Sequence, residues 1–451
     1  MAAKRDGELR LGTLPMLASL VRFAQGPWAL ASLFAIALAA RAISVLFLGD
    51  VSQGVEIWEY GEQALCAAQT GRDLCLRDMA GNPYASALMP PLTSYLWLIL
   101  FEMFGVGPVA RGGYLLLNVL AGAACAPLLM TVARRMRIEP AAAFLSGLAI
   151  AAYPTFLAVS AGYHATNFTI LLILAFALVY LRVAETLRWR TALLAGLLAG
   201  ASVLTRNELL LAAAGAAVLL VWISRKTPMN GLRAAAALTL GVALAMSPWI
   251  VRNYLTFERF IPVGSQAGYN VWIGFGPYAR ASGNQLDNDP EARAAAAAIR
   301  VSVAPGDLPG NRFEPRLQSA FLADALPSIE RGGLSRIVSL TAQRLFVLWG
   351  FDWSDPITHS PAYWGPWAIA HALAVYGLIA LARRRAFVDG KALLLILLFL
   401  GVFTAAYSVS SVFARYRMHM EPFIFLFAGL GAAALLQGRA AINPSEAGLR
   451  T

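Results

Sequence analysis

The stretch PPLTSYLWLILFEMFG, residues 90–105, decides how the rest of the chain is threaded. If it crossed a membrane, every later turn would change sides. The arginine-rich turns would then collect on the face that usually carries fewer basic residues. The stretch is short for a hydrocarbon core of about 30 Å, and it opens on the pair Pro90 and Pro91. It reads instead as a juxtamembrane or re-entrant helix packed on protein, with both ends on one side. Residues 338–350, which carry Arg344, read in the same way as an interfacial segment.

Around that stretch, hydrophobic residues make up 59% of the chain, charged residues 14%, and the mean hydropathy is +0.62. The apolar residues come in blocks long enough to cross a bilayer as helix, while the alternating strands of a membrane barrel are absent. The expected fold is an all-α polytopic membrane protein of about ten transmembrane helices. They are expected at 28–48, 112–133, 140–160, 167–182, 191–206, 208–223, 233–250, 364–382, 391–410 and 423–437. The first is long for a signal-peptide core and no clear small-residue cleavage site follows it, so it reads as a retained helix. Basic residues flanking the helices give the net charge of +11. No Lys/Arg block resembles a nucleic-acid-binding arm, so nucleic acid is not an expected partner.

Arg134, Arg135 and Arg137 follow the second span, and Arg182, Arg188 and Arg190 surround the turn after the fourth. Arg225 and Lys226 follow the sixth, and Arg383, Arg384 and Arg385 the eighth. Placing these turns in the cytoplasm obeys the positive-inside bias and puts both termini there. The expected plan is a cytoplasmic segment 1–27, a transmembrane core 28–251 with a first outer loop 49–111, and a second outer loop 252–363 with interfacial helices. C-terminal helices 364–437 and a cytoplasmic tail 438–451 complete it. The second loop holds GSQAGYNVWIGFGPYARASGNQLDNDPEARA (264–294), rich in Gly, Asn and aromatics and too long for a mere connector; loops of that length usually carry function. No internal repeat is evident, which argues against a secondary transporter.

With the sides so assigned, four arginines stand at the outer lip of the membrane, where the bias runs against them. They are Arg206 in SVLTRNELL, Arg252 in SPWIVRNYLTF, and Arg415 and Arg417 in SVFARYRMHMEP. Arginine at that depth is costly unless it meets an anion, and the planar guanidinium suits carboxylate or phosphate oxygens. Any one of them alone could snorkel to headgroups or pair with an acid such as Glu208, Glu258 or Glu421. Four at one depth point to a phosphate site suited to a lipid-linked phosphate.

The first outer loop begins VSQGVEIWEYGEQALCAAQTG (51–71), an expected amphipathic helix with Glu56 and Tyr60 four apart on one face. A carboxylate close to the membrane and opposite the arginines suits a general base. Glu59 and Glu62 compete with Glu56 for that role, and simple solvation of the helix is the plain alternative for all three. Cys66 and Cys75 are close enough in sequence to pair in an oxidising compartment, or they remain free thiols. His164 and His419 fall on the outer face within reach of a substrate, whereas His371 lies in a span. No histidine spacing suggests a metal site.

Three pieces carry a resemblance: SPWIVRNYLTFERFIPVGSQAGYNVWIGFGP at 247–277, ARYRMHMEP at 414–422 and GLLAGASVLTRNELLL at 196–211. With PPLTSYLWLILFEMFG and the helix after it, the chain resembles the GT-C glycosyltransferases of the protein O-mannosyltransferase and aminoarabinose-transferase type over about 28–437. The resemblance implies a carboxylate four residues before a Tyr, acting at the acceptor. Glu56 before Tyr60 matches it, although most relatives have Asp. A second family acid is replaced by Asn167 in GYHATN (162–167), with His164 nearby. Arg206 falls where the family has Arg-Pro, and Arg415 and Arg417 match the lipid-phosphate ligands best.

The function so implied is transfer of a sugar from a polyprenyl-phosphate donor to a glycolipid, glycan or protein acceptor at the outer face of the inner (cytoplasmic) membrane. Tyr269, Asn270 and Trp272 would stack on or bond the sugar. No organic cofactor is expected; a divalent metal is possible, though no ligand spacing indicates one. The rival reading is a flippase or transporter of a lipid-linked sugar, which would need the arginines and an apolar groove but no loop carboxylate.

Overall fold

The computed structural model describes residues 15–52, 54–303, 311–384 and 388–442. The outermost parts of the expected terminal segments, and Arg385, lie outside them. The chain opens with α1 (Pro15–Gln25) and α2 (Ala29–Leu48). The first large loop folds as α3 (Trp58–Thr70), an antiparallel pair β1 (Cys75–Arg77) and β2 (Pro83–Ala85), and α4 (Pro91–Phe104). Seven helices follow: α5 (Pro108–Arg135), α6 (Pro140–Ala152), α7 (Pro154–Ser160), α8 (Thr166–Thr186), α9 (Trp189–Val203), α10 (Leu209–Ile223) and α11 (Pro228–Phe257). The second large loop carries α12 (Ala267–Phe275), α13 (Gly283–Asp287), α14 (Pro290–Ser302) and α15 (Phe313–Trp349). The helices α16 (Pro361–Arg384), α17 (Gly390–Ser408) and α18 (Glu421–Ile442) close the bundle.

Six helices, α2, α5, α8, α11, α16 and α17, are long and apolar enough to cross a membrane, and α6 with α7 makes a seventh, bent span. The protein is an integral membrane protein of helical class. The other three expected spans, α9, α10 and α18, are shorter apolar helices. At 15 residues, α9 and α10 reach only about 22 Å. The helix α9 nonetheless runs from one end of the bundle to the other. Near the start of α9, Glu185 pairs with Arg135 at 3.2 Å; just past its end, Leu204 O accepts from the Leu92 N–H at 2.9 Å.

These contacts define two ends. The turn end gathers Arg134, which donates to Ala24 O, with Lys391, which donates to Ala184 O, and Asp389, whose N–H donates to Met136 O. The loop end gathers both large loops and the turns at 161–165, 204–208 and 409–420. Residues 90–105 start and finish there: Leu92 bonds Leu204, and beyond the helix Arg111 donates to Val55 O at 2.9 Å. The helix α4 packs against α3 and α5. The segment 338–350 stays at the same end, where buried Arg344 donates to Gly274 O. The Gly/Asn-rich stretch of the second loop is partly helical: α12 packs on α15 at Gly268, where a β-carbon would lie 1.9 Å from Gln318 O.

The two loops are clasped by a buried carboxylate. Glu314 accepts from Ser86 Oγ at 2.5 Å, the Ala87 N–H at 2.7 Å and Ser265 Oγ at 2.6 Å. Gln63 of α3 donates to Ser86 and accepts from Ser94 of α4. A disulfide joins Cys66 to Cys75, tying α3 to β1.

The bend of 49° between α6 and α7 comes from Pro154, which has no N–H to return to Ile150 O. Arg41, fully buried on α2, replaces it: Nη2 donates to Ile150 O at 3.1 Å and Nη1 to Ala151 O at 3.3 Å. Gly122 gives the guanidinium room, since a β-carbon there would lie 2.5 Å from Nε. Ser44 Oγ donates to Leu157 O, and Asn118 Nδ2 to Val159 O and Gly162 O, so α7 is pinned along its length. Replacing Arg41→Met strands two carbonyls and is expected to cost roughly 2–4 kcal/mol. The check is the denaturation midpoint in detergent, where Arg41→Lys recovers part of the loss.

Candidate functional site

Beside α7, at the loop end, lies a cavity of ≈570 Å³. Leu48, Val55, Ala158, Val159, Ile357 and Met418 form its apolar walls. Glu56, His164 and Arg415 stand in its polar part with Asp50, Asp355, Tyr163 and Tyr363. Leu48 is 65% exposed and follows Leu46 and Phe47, exposed at 81% and 83% on a spanning helix. The apolar wall is therefore continuous with a lipid-facing stripe.

A smaller chamber of ≈50 Å³ adjoins it and shares His164 and Arg415. Its other polar lining residues include Tyr60, Arg206, Tyr416 and His419. Arg206 Nε donates to Glu208 at 2.8 Å and Nη2 to the Tyr407 hydroxyl at 2.8 Å; that hydroxyl donates in turn to Glu208. Its guanidinium lies 5.3 Å from the Tyr416 ring centroid. Burial pushes the Tyr60 hydroxyl up to about 12, so it remains a proton donor at neutral pH.

Arg415 differs from the other lip arginines. It is exposed, rests against the rings of Trp58 (5.1 Å) and Phe413 (4.2 Å), and makes no hydrogen bond or ion pair among the described residues. Trp58 holds this place with a positive φ of 58°, unusual for a bulky residue, and also stacks on His164 at 4.7 Å. Strain at such a position is a common mark of a functional site. Glu208, a possible partner of the arginines in the sequence, does pair with Arg206, whereas composition and spacing mark neither Trp58 nor Tyr416, and the fold brings Trp58 to Arg415.

Several expected site residues stand elsewhere. Arg252 spends its donors on Asp73 (2.5 Å), Leu74 O and Ser86 O, bracing the first loop. Arg417 is 3% exposed and paired with Glu421 at 3.4 Å, donating also to Gly350 O and the Tyr363 hydroxyl. Asn167 is buried against Asn118 and Ser160. Tyr269 packs on Trp272 and Phe321, and neither it nor Asn270 lines either cavity. Glu56 is not helical: α3 starts two residues later, so Glu56 and Tyr60 do not share a helix face. Glu59 and Glu62 are exposed on α3 outside both linings. Among the described residues no group of three or more His, Cys, Asp or Glu is arranged to hold a metal ion.

No family model and no curated protein matches the chain. Among solved structures, it is similar to ArnT from Cupriavidus metallidurans bound to undecaprenyl phosphate, with 18% identity and a TM-score of 0.43 over 91% of this chain and 78% of that one. It is also similar to the Archaeoglobus fulgidus oligosaccharyltransferase in complex with Zn and sulfate, with 15% identity and a TM-score of 0.46 over 93% of this chain and 51% of that one. The chain thus spans about half the oligosaccharyltransferase's length.

Burial, and after it Arg415, lowers His164 to about 4; burial and Arg206 lower His419 to about 3. His419 Nδ1 lies 3.1 Å from Tyr416 O, so that nitrogen carries the proton. An unfolded histidine titrates near about 6.5, so below that pH the unfolded chain binds more protons than the native one. Stability therefore falls as the pH drops from about 6.5 toward 5, before carboxylates titrate strongly. Denaturation midpoints across that window should flatten in His164→Gln/His419→Gln.

Proposed function

We propose that the protein is a membrane glycosyltransferase that moves a sugar from a polyprenyl-phosphate donor to an acceptor at the outer membrane face. The observation that carries this reading is the cavity in which Glu56, Arg415 and a lipid-facing apolar wall meet. A prenyl chain enters from the membrane along Leu46–Leu48, which puts its phosphate at the polar end beside Arg415. Glu56 takes the proton from the acceptor hydroxyl or amine as that group attacks the anomeric carbon, with inversion. The bond from that carbon to the phosphate oxygen breaks, and Arg415 stabilises the charge that collects on the departing lipid phosphate. Arg206 adds positive charge behind it, already balanced by Glu208. Arg252 and Arg417 serve as structural braces, and Asn167 as part of the helix packing.

The flippase reading shares the groove and the cation but gives Glu56 no task. The test uses purified protein in lipid with radiolabelled polyprenyl-phosphate sugars and a membrane extract as acceptor pool. Glu56→Gln should lower transfer about 10²–10⁴-fold with donor binding retained. Arg415→Ala should weaken donor binding about 10–100-fold, whereas Arg252→Ala should lower stability and leave donor affinity near wild type. If label crosses the bilayer without joining an acceptor, and Glu56→Gln changes nothing, the flippase reading replaces this one.

A further inference from the structure

The turn end carries a second polar pocket that neither the groove nor the chamber uses. A cavity of ≈410 Å³ lies between the starts of α9 and α11, lined by Leu187, Arg188, Trp189, Arg190, Asn230 and Arg233. Three of these six are arginines and none is an acid. All three arginines are exposed, and among the described residues none makes a hydrogen bond or an ion pair; Arg190 lies over the Trp189 ring at 5.5 Å. At the same end Arg135 does have a carboxylate, Glu185. Arg134 and Lys391 there donate to main-chain carbonyls, whereas the three arginines of this pocket have no such oxygen among the described residues.

The helix geometry makes that absence more costly. Arg188 and Arg190 flank the first residue of α9, and Arg233 sits early in α11. Positive side chains are disfavoured near a helix start, and the first turn of α9 holds no acid to offset Arg188 and Arg190. Among the described residues no carboxylate balances these three arginines, which leaves the pocket open to an anion from outside. Its chemistry follows from the remaining lining. Trp189 is 57% exposed beside Leu187, and the nearby end of α10 repeats the pattern, with Trp222 52% exposed under Arg225 at 5.4 Å. Tryptophan at the end of a spanning bundle marks the headgroup level of a bilayer, and guanidinium forks match phosphate oxygens.

We infer that this pocket binds the phosphate of an anionic membrane phospholipid, held by Arg188, Arg190 and Arg233, with Leu187 and Trp189 against its glycerol and acyl boundary. The inference is independent of the transferase reading, because it concerns the opposite end of the bundle.

The experiment measures binding of phosphatidylglycerol to the full chain in neutral detergent, beside phosphatidylcholine and inorganic phosphate. Arg188→Gln/Arg190→Gln/Arg233→Gln is compared with the loop-end control Arg259→Gln/Arg293→Gln/Arg316→Gln, which removes the same charge. The pocket variant should bind phosphatidylglycerol about tenfold more weakly or worse, while the control matches wild type and a triple lysine replacement keeps most of the affinity. If the glutamine variant does not fold, the preference of wild type for phosphatidylglycerol over phosphatidylcholine still decides. Equal binding of the two lipids, unchanged binding by the pocket variant, or full displacement by equimolar inorganic phosphate would each overturn the inference.

Discussion

In an apolar layer no water is available to finish a hydrogen bond, so each guanidinium and each freed carbonyl must find its partner within the protein or from a ligand. Pro154 breaks a spanning helix and frees Ile150 O; Arg41 supplies the missing donors. The polar groups of Ser44, Asn118 and Ser160 do the same along α7. Without those donors the bent segment would be too costly to hold. Without the bend, Ala158 and Val159 would not wall a cavity beside α2.

The same requirement sorts the arginines at the loop end. In Arg252 and Arg417 the donors are taken up by Asp73, Glu421 and main-chain carbonyls, and both groups work as braces. Arg206 is intermediate: a carboxylate and a phenol neutralise it, yet it still faces the chamber. Arg415 has ring faces and no oxygen. Ring faces tolerate a cation without discharging it, so this guanidinium keeps most of its attraction for an anion that comes from outside.

The helical class and the helix positions were legible in the sequence, because long apolar blocks leave little freedom in where a span can lie. The arginine roles were only half legible. Four charges at one depth can be read from a sequence, and so can the near acids Glu208 and Glu421 that pair with Arg206 and Arg417, but the distant partners cannot. Asp73 is far from Arg252 along the chain, and Gly350 O is a backbone atom that any residue would provide. Glu56 was singled out on a helical spacing that the fold does not use, because α3 begins after it. It lines the cavity with Arg415 from the turn at 54–57 instead.

That turn has a consequence for how Glu56 is held. A carboxylate on a helix face is fixed by its neighbours on the helix, whereas Glu56 hangs from a short segment clamped on both sides. Val55 O is bonded by Arg111, Ile57 is buried beneath Gly61, and the next residue is the positive-φ Trp58. A β-carbon on Gly61 would lie 2.6 Å from Ile57 Cβ, so the start of α3 can press this closely on the turn only with glycine there. The backbone that presents Glu56 and the ring that carries Arg415 therefore belong to one short segment, residues 56–58. Glu56 and Arg415 line one cavity, and under the proposed transfer this turn would set acid and cation relative to each other, as a charge-separating step needs.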